Sequence, residues 1–221
     1  MDIAENIRHF KSILPPSVEM VAVSKFHPAE AILQAYNAGQ RLFGESRVQE
    51  FLEKQKVLPQ DIRWHFIGHL QTNKVRPIIG KTSLIESVDS ERLLDLIDKE
   101  SARVGVVSKV LLQVHVAAEE AKFGFFPQQL LDFLLSKRHE SLPSVQICGI
   151  MGMATNTDQI QRIKADFHSL RSLFLKIRDY PDLNLPHFSL LSMGMSGDWQ
   201  YAVEEGADII RIGSAIFGSR Y

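Results

Sequence analysis

Lys25 follows Ser24 at the end of the apolar run Val21-Ala22-Val23. An amine held at a strand end and partly stripped of water loses hydration that favours its ammonium form. It can then attack a carbonyl and form a Schiff base. A strand-end lysine with its amine in water is the commoner arrangement, and Lys25 alone does not decide between the two. A second group lies near the other end of the chain. Ser192-Met193-Gly194-Met195-Ser196-Gly197-Asp198 follows one apolar run, and Gly213-Ser214 follows the next. Small residues let backbone N–H groups approach an anion, and serine hydroxyls add donors. Third, Arg211 interrupts the apolar run 208–212. A guanidinium there needs either a structural counter-ion or a ligand, such as a ring nitrogen to which it donates. Because it stays protonated, it would disfavour protonation of that nitrogen and weaken the ring as an electron sink.

These residues need a scaffold that gathers both ends of the chain. Short apolar runs with strand character recur at 20–23, 41–44, 64–68, 83–88, 107–116, 145–151, 187–192 and 208–212. Helical patterns lie between most of them, at 28–38, 46–57, 90–100, 127–135, 158–177 and 197–205. Pro28 and Pro127 suit first helical turns, Asp89-Ser90-Glu91 supplies a cap and an acidic start, and Gly39, Gly80 and Gly206 sit where helices should stop. Eight alternating units predict an α/β fold, a single-domain (β/α)8 TIM barrel over 1–221. Too few residues follow the last strand to form an eighth helix. The amphipathic segment 3–14 is therefore expected to fill that slot as an N-terminal helix before the first strand. An open doubly wound sheet is the alternative, but its Gly-x-Gly-x-x-Gly phosphate turn is absent after the first strand. In a parallel barrel the site lies at the C-terminal strand ends, and phosphate commonly sits at the loops after strands seven and eight. Lys25, the two Gly/Ser loops and Arg211 all fall in that zone.

Composition narrows the classes. The 25 basic and 26 acidic residues give a net charge of −1, without the basic excess expected of a nucleic-acid binder. No apolar run approaches the roughly 18 residues of a membrane span. The first residues lack the pattern of a signal peptide. A single cysteine, Cys148, argues for a reducing compartment, so the expectation is a cytoplasmic globular protein. His65 and His69 are four apart, but on a strand and its exit loop rather than on one helix face. With His27 they read as packing or hydrogen-bonding histidines, and no metal is expected. Cys148 reads as an inert core thiol, and Met151, Met153, Met193 and Met195 as rim packing.

Seven motifs in order then carry a resemblance over most of the chain. They are Val21-Ala22-Val23-Ser24-Lys25, Phe43-Gly44-Glu45, His65-Phe66-Ile67-Gly68-His69-Leu70-Gln71-Thr72-Asn73-Lys74, Lys122-Phe123-Gly124-Phe125, Gly149-Ile150-Met151, Leu191-Ser192-Met193-Gly194-Met195-Ser196, and 211–218. Together they resemble the pyridoxal phosphate homeostasis protein (YggS/PROSC) family. The resemblance implies a barrel like the N-terminal domain of alanine racemase, binding pyridoxal 5′-phosphate (PLP) as a covalent aldimine with Lys25. It implies Arg211 at the pyridine nitrogen, and Ser192, the Met193 backbone, Gly213 and Ser214 at the phosphate, with Ser196 closing that loop. His69 and Asn73 are expected at the cofactor mouth, and Lys122 as a surface or second-site lysine. Where the family commonly carries asparagine after Gly-Glu, this chain has Ser46, shorter and with one hydroxyl in place of an amide.

The resemblance implies a PLP carrier in cofactor homeostasis that supplies apo-enzymes, is monomeric and lacks turnover. A PLP-dependent amino-acid racemase is the alternative. Racemisation needs acid/base groups on both faces of the substrate, and Lys25 supplies one. Tyr36, Tyr180 and Tyr201 fall in or beside predicted helices, and Tyr221 is terminal. A barrel enzyme using Lys25 on another phosphorylated substrate is a third reading.

Overall fold

A computed structural model describes residues 2–119 and 123–218. Lys122 and Tyr221 lie outside the described residues. Eight parallel strands close into a barrel in chain order: β1 (Glu19–Val23), β2 (Leu42–Glu45), β3 (Arg63–Phe66), β4 (Leu84–Val88), β5 (Ser108–Val114), β6 (Val145–Gly152), β7 (Leu190–Ser192) and β8 (Ile209–Ile212). Closure is made by β1 beside β8, with Val21 opposite Arg211 and Ala22 opposite Ile212. This register brings the start and the end of the chain to one side of the barrel, so Lys25 and Gly213-Ser214 leave adjacent strands.

Strand alternation sorts the side chains. Val21, Leu42, Leu84, Leu111, Cys148 and Ile209 pack together inside the barrel. Their neighbours Ala22, Phe43, Ile85, Leu112 and Ile210 pack outward, under the helices. The outer helices are α1 (Ile3–Ile13), α2 (Ala29–Asn37), α3 (Val48–Val57), α4 (Glu91–Val104), α5 (Pro127–Leu135), α6 (Ile160–Arg178), α7 (Trp199–Glu204) and the short α8 (Ser214–Phe217). Between β3 and β4 there is only a single turn at Thr72–Lys74.

The expected role of the first helix holds. Asp2 caps α1, its Oδ1 accepting from the Ala4 N–H at 2.8 Å. Ile7 and Phe10 are buried, Phe10 meets Trp199 of α7 edge to face, and Asn6 Nδ2 donates to Ile216 O at 2.9 Å. On its other side Lys11 Nζ donates to Gly39 O, beyond α2. Thus α1 occupies the slot after β8 that the short α8 cannot fill.

Several element boundaries shift by a few residues from the sequence expectation, and two of the shifts have a visible physical cause. The fifth strand stops at Val114 rather than at 116 because the following loop folds back beside it. Phe125 N–H donates to Gln113 O, and His115 N–H donates to Phe125 O. Helix α4 runs on to Val104, where Gly105 (φ +71°) ends it in the left-handed region. Among the described residues, no helix is long and apolar enough to cross a membrane.

Candidate functional site

A cleft of about 320 Å³ opens at the C-terminal strand ends between β1, β8 and the loop after β7. Lys25, His27, Arg211, Ser196, Gly213 and Ser214 line it, with Val23, Ile67, Met153 and Met195 as its apolar wall.

The anion-like end is built from backbone. Ser196 Oγ accepts from the Gly213 N–H at 3.1 Å and from the Ala215 N–H at 3.3 Å. Those N–H groups hold Ser196 in place, and its hydroxyl and that of Ser214 are the donors at this end of the cleft. The loop that delivers Ser196 depends on Gly194. Its φ is +93°, and a Cβ there would stand 2.5 Å from Ala202 Cβ. Asp198 Oδ1 accepts from the Met195 N–H, and Arg211 N–H donates to Gly194 O, which ties the loop to β8.

Below the cleft a polar layer caps the apolar barrel interior. Glu86 is fully buried on β4. Its Oε1 lies 2.6 Å from His65 Nδ1, and its Oε2 accepts from Ser192 Oγ at 2.6 Å. Arg211 donates through Nη1 to Ser192 Oγ and through Nη2 to Gly152 O at 2.9 Å, and lies 3.6 Å from Glu86 Oε2. Burial alone would push the Glu86 carboxyl up. The hydrogen bond and charge of His65, the charge of Arg211 and the Ser192 hydroxyl outweigh it and hold the carboxyl below its ordinary value. Burial lowers the Arg211 value, against the raising effect of Glu86 and Asp198. Guanidinium retains its proton in proteins, so the layer holds an ion pair whose cationic member also faces the cleft.

The structure brings together Lys25, Arg211, Ser196, Gly213 and Ser214. It does not bring the others there. The Ser192 hydroxyl is fully buried and committed to Glu86 and Arg211. The Met193 N–H, expected at an anion, donates to Ile209 O at 3.0 Å and extends the β7–β8 ladder, while its side chain is core. Ser46 packs its backbone against Gly68, where any Cβ would come within 2.3 Å of Ser46 O. His69 and Asn73 line a separate cleft with Asp89 and Ser90. There His69 Nδ1 lies 2.8 Å from Asp89 Oδ2, and its ring stacks on Phe123 at 3.7 Å. Sequence reasoning missed Glu86. The signal that singled out Arg211, a charge inside an apolar strand, was equally present in Leu84-Ile85-Glu86-Ser87-Val88.

The model of the alanine racemase N-terminal domain matches residues 1–221. A protein of Aquifex aeolicus named pyridoxal phosphate homeostasis protein is 41% identical over 203 residues, covering 91% of this chain and 87% of that one. This chain belongs to the pyridoxal phosphate homeostasis protein family. Two solved structures of PipY from Synechococcus elongatus are similar throughout. The form without PLP has a TM-score of 0.90 at 41% identity, covering 98% of this chain and 100% of that one. The form with PLP bound has a TM-score of 0.86 at 40% identity, with the same coverage. This family's barrel therefore accounts for the whole arrangement of β1–β8 around the cleft.

Proposed function

We propose that this chain binds PLP in the Lys25–Arg211 cleft and acts in PLP homeostasis as a monomeric carrier that supplies apo-enzymes without turning over a substrate. One observation carries the reading. A strand-end amine, a buried guanidinium and two serine hydroxyls, one of them fixed by backbone N–H groups, meet in one cleft of about 320 Å³. PLP presents three matching features: an aldehyde, a ring nitrogen and a phosphate. When bound, it supplies a reactive aldehyde and a ring that can take up electron density.

Each residue has a distinct task. The Lys25 amine captures the aldehyde covalently with loss of water. Arg211, held by Ser192, Gly152 and Glu86, donates toward the ring nitrogen and keeps that nitrogen unprotonated. The hydroxyls of Ser196 and Ser214 donate to the phosphate beside Gly213, with Ser196 held by the N–H groups of Gly213 and Ala215. Met153, Met195, Ile67 and Val23 exclude water from the ring faces. The arrangement disfavours the racemase alternative. Among the described lining residues, the nitrogen bases are Lys25 and His27, both from one turn after β1, and the apolar lining is thioether and alkyl. Tyr36 donates its hydroxyl to Asp61 on the outer surface. A cationic Arg211 also weakens the ring's capacity to stabilise a carbanion, which suits storage over turnover.

Titration with PLP and with pyridoxal, which lacks the phosphate, separates the two ends of the site. PLP is expected to saturate a visible absorption band, with pyridoxal binding at least about 100-fold more weakly, since charge-assisted hydrogen bonds contribute roughly 1.5–3 kcal/mol each. Ser196→Ala should narrow that gap. Equal affinity for the two aldehydes would remove the phosphate assignment, and amino-acid turnover by the loaded protein would remove the carrier reading.

A further inference from the structure

The backbone on both sides of Lys25 is gripped by a cluster outside the cleft. Lys54, on α3, is almost fully buried, and its ammonium group makes three bonds. It donates to Ser24 O at 2.8 Å, to Glu45 Oε1 at 2.7 Å and to Glu50 Oε1 at 2.6 Å. Glu45 Oε1 also accepts from Ser24 Oγ at 2.6 Å, and Glu50 Oε1 from the Phe26 N–H at 2.5 Å. The residues before and after Lys25 are therefore both tied to the β2–α3 unit.

The turn between them is not one that this sequence would adopt unaided. His27 N–H donates to Ser24 O at 3.1 Å, closing a turn with Lys25 and Phe26 at its centre. Phe26 has φ +68°, a value that glycine ordinarily supplies at this turn position. Holding a non-glycine residue there costs roughly 1–2 kcal/mol. Such a conformation persists where the surroundings over-determine it, and it clusters at functional sites. Here the surroundings include the Phe26–Glu50 bond, the Ser24–Lys54 bond, the Arg47 guanidinium 4.5 Å over the Phe26 ring and the stacking of His27 on Phe217.

We infer that Lys54, acting with Glu50 and Glu45, is a positioning residue that holds the Lys25 turn in its strained form and so aims the Lys25 amine into the cleft. Lys54 touches neither the cleft nor its ligand and acts only through the Ser24–His27 turn. The inference deepens the PLP reading and rests on it for the identity of the ligand. Without the clamp Phe26 relaxes toward negative φ, and the half-buried Lys25 amine swings toward solvent.

Two measurements should then move in opposite directions in Lys54→Met and Glu50→Ala. In ligand-free protein, trace acetic anhydride labels lysines by accessibility and basicity, and exposed Lys56 and Lys81 serve as internal standards. Lys25 labelling is expected to rise about threefold toward theirs. In the same variants the rate of PLP capture is expected to fall about tenfold, because a displaced nucleophile loses its near-attack geometry. The visible circular dichroism of the captured cofactor should weaken as well. Glu50 is partly exposed, so Glu50→Ala keeps the test available if Lys54→Met does not fold. Unchanged labelling and capture in a folded variant would overturn the inference, as would both moving in the same direction. If the parent protein captured no PLP, the functional reading would fail, while the labelling comparison would still decide whether the clamp positions Lys25.

Discussion

Glu86→Leu is expected to destabilise the protein by about 3–5 kcal/mol, the range for removing one member of a buried ion pair. The magnitude follows from what is left behind. Arg211 is only 4% exposed, and without Glu86 its guanidinium keeps the Ser192 hydroxyl and the Gly152 carbonyl as hydrogen-bond acceptors, with the Asp198 charge as the remaining carboxylate influence. Ser192 would lose its own acceptor, and His65 its carboxylate partner. Glu86→Gln retains hydrogen-bonding atoms and should be milder, which separates loss of charge from loss of shape. Urea unfolding of the three proteins without PLP measures the effect. The pH dependence has a definite sign. The folded-state carboxyl is held below its ordinary value of 4.5, so the stability that Glu86 contributes is fully present above that value. It drains away as pH falls toward the lower folded-state value. The gap between parent and Glu86→Leu should therefore narrow in acid. A Glu86→Leu protein as stable as the parent at neutral pH would mean that Arg211 does not depend on this carboxylate.

Lys25→Ala should leave stability within about 0.5–1 kcal/mol of the parent, because the half-buried side chain is not what holds its turn. The turn is made by backbone atoms and by Lys54, Glu45 and Glu50. Binding should suffer far more. Without the amine, PLP retains only the phosphate donors and Arg211, and the covalent visible band disappears. A loss of at least about 100-fold in affinity, roughly 2.7 kcal/mol, is expected. Equilibrium dialysis with the absorbance spectrum reads both quantities. An unaltered band in Lys25→Ala would assign capture to another amine.

The barrel was legible in the sequence because eight apolar runs alternate with capped helical patterns, and because 3–14 could fill the outer slot that the short α8 leaves. Lys25, Arg211, Ser196, Gly213 and Ser214 were legible because their position after particular strands fixes their end of the barrel. Ser192 and Met193 were not. Nothing in Leu191-Ser192-Met193 reveals that β8 draws the Met193 N–H into the ladder, or that the Ser192 hydroxyl turns down to a carboxylate 106 residues earlier in the chain. The structure places His69 and Asn73 in a separate cleft for a related reason. The exit loop of β3 carries no full helix, and it turns toward Asp89 instead of the barrel axis. Lys54 sits in an ordinary-looking charged stretch of α3. Its burial follows from the pairing of β1 with β2, a long-range fact that local pattern does not encode.

Whether Lys25 is the amine that holds the vitamin-derived aldehyde is decided by loading the unmodified protein with PLP, reducing with borohydride and mapping the modified peptide. One stoichiometric pyridoxyl group on Lys25 is expected. A group on any other lysine, or a label scattered over several, would contradict it.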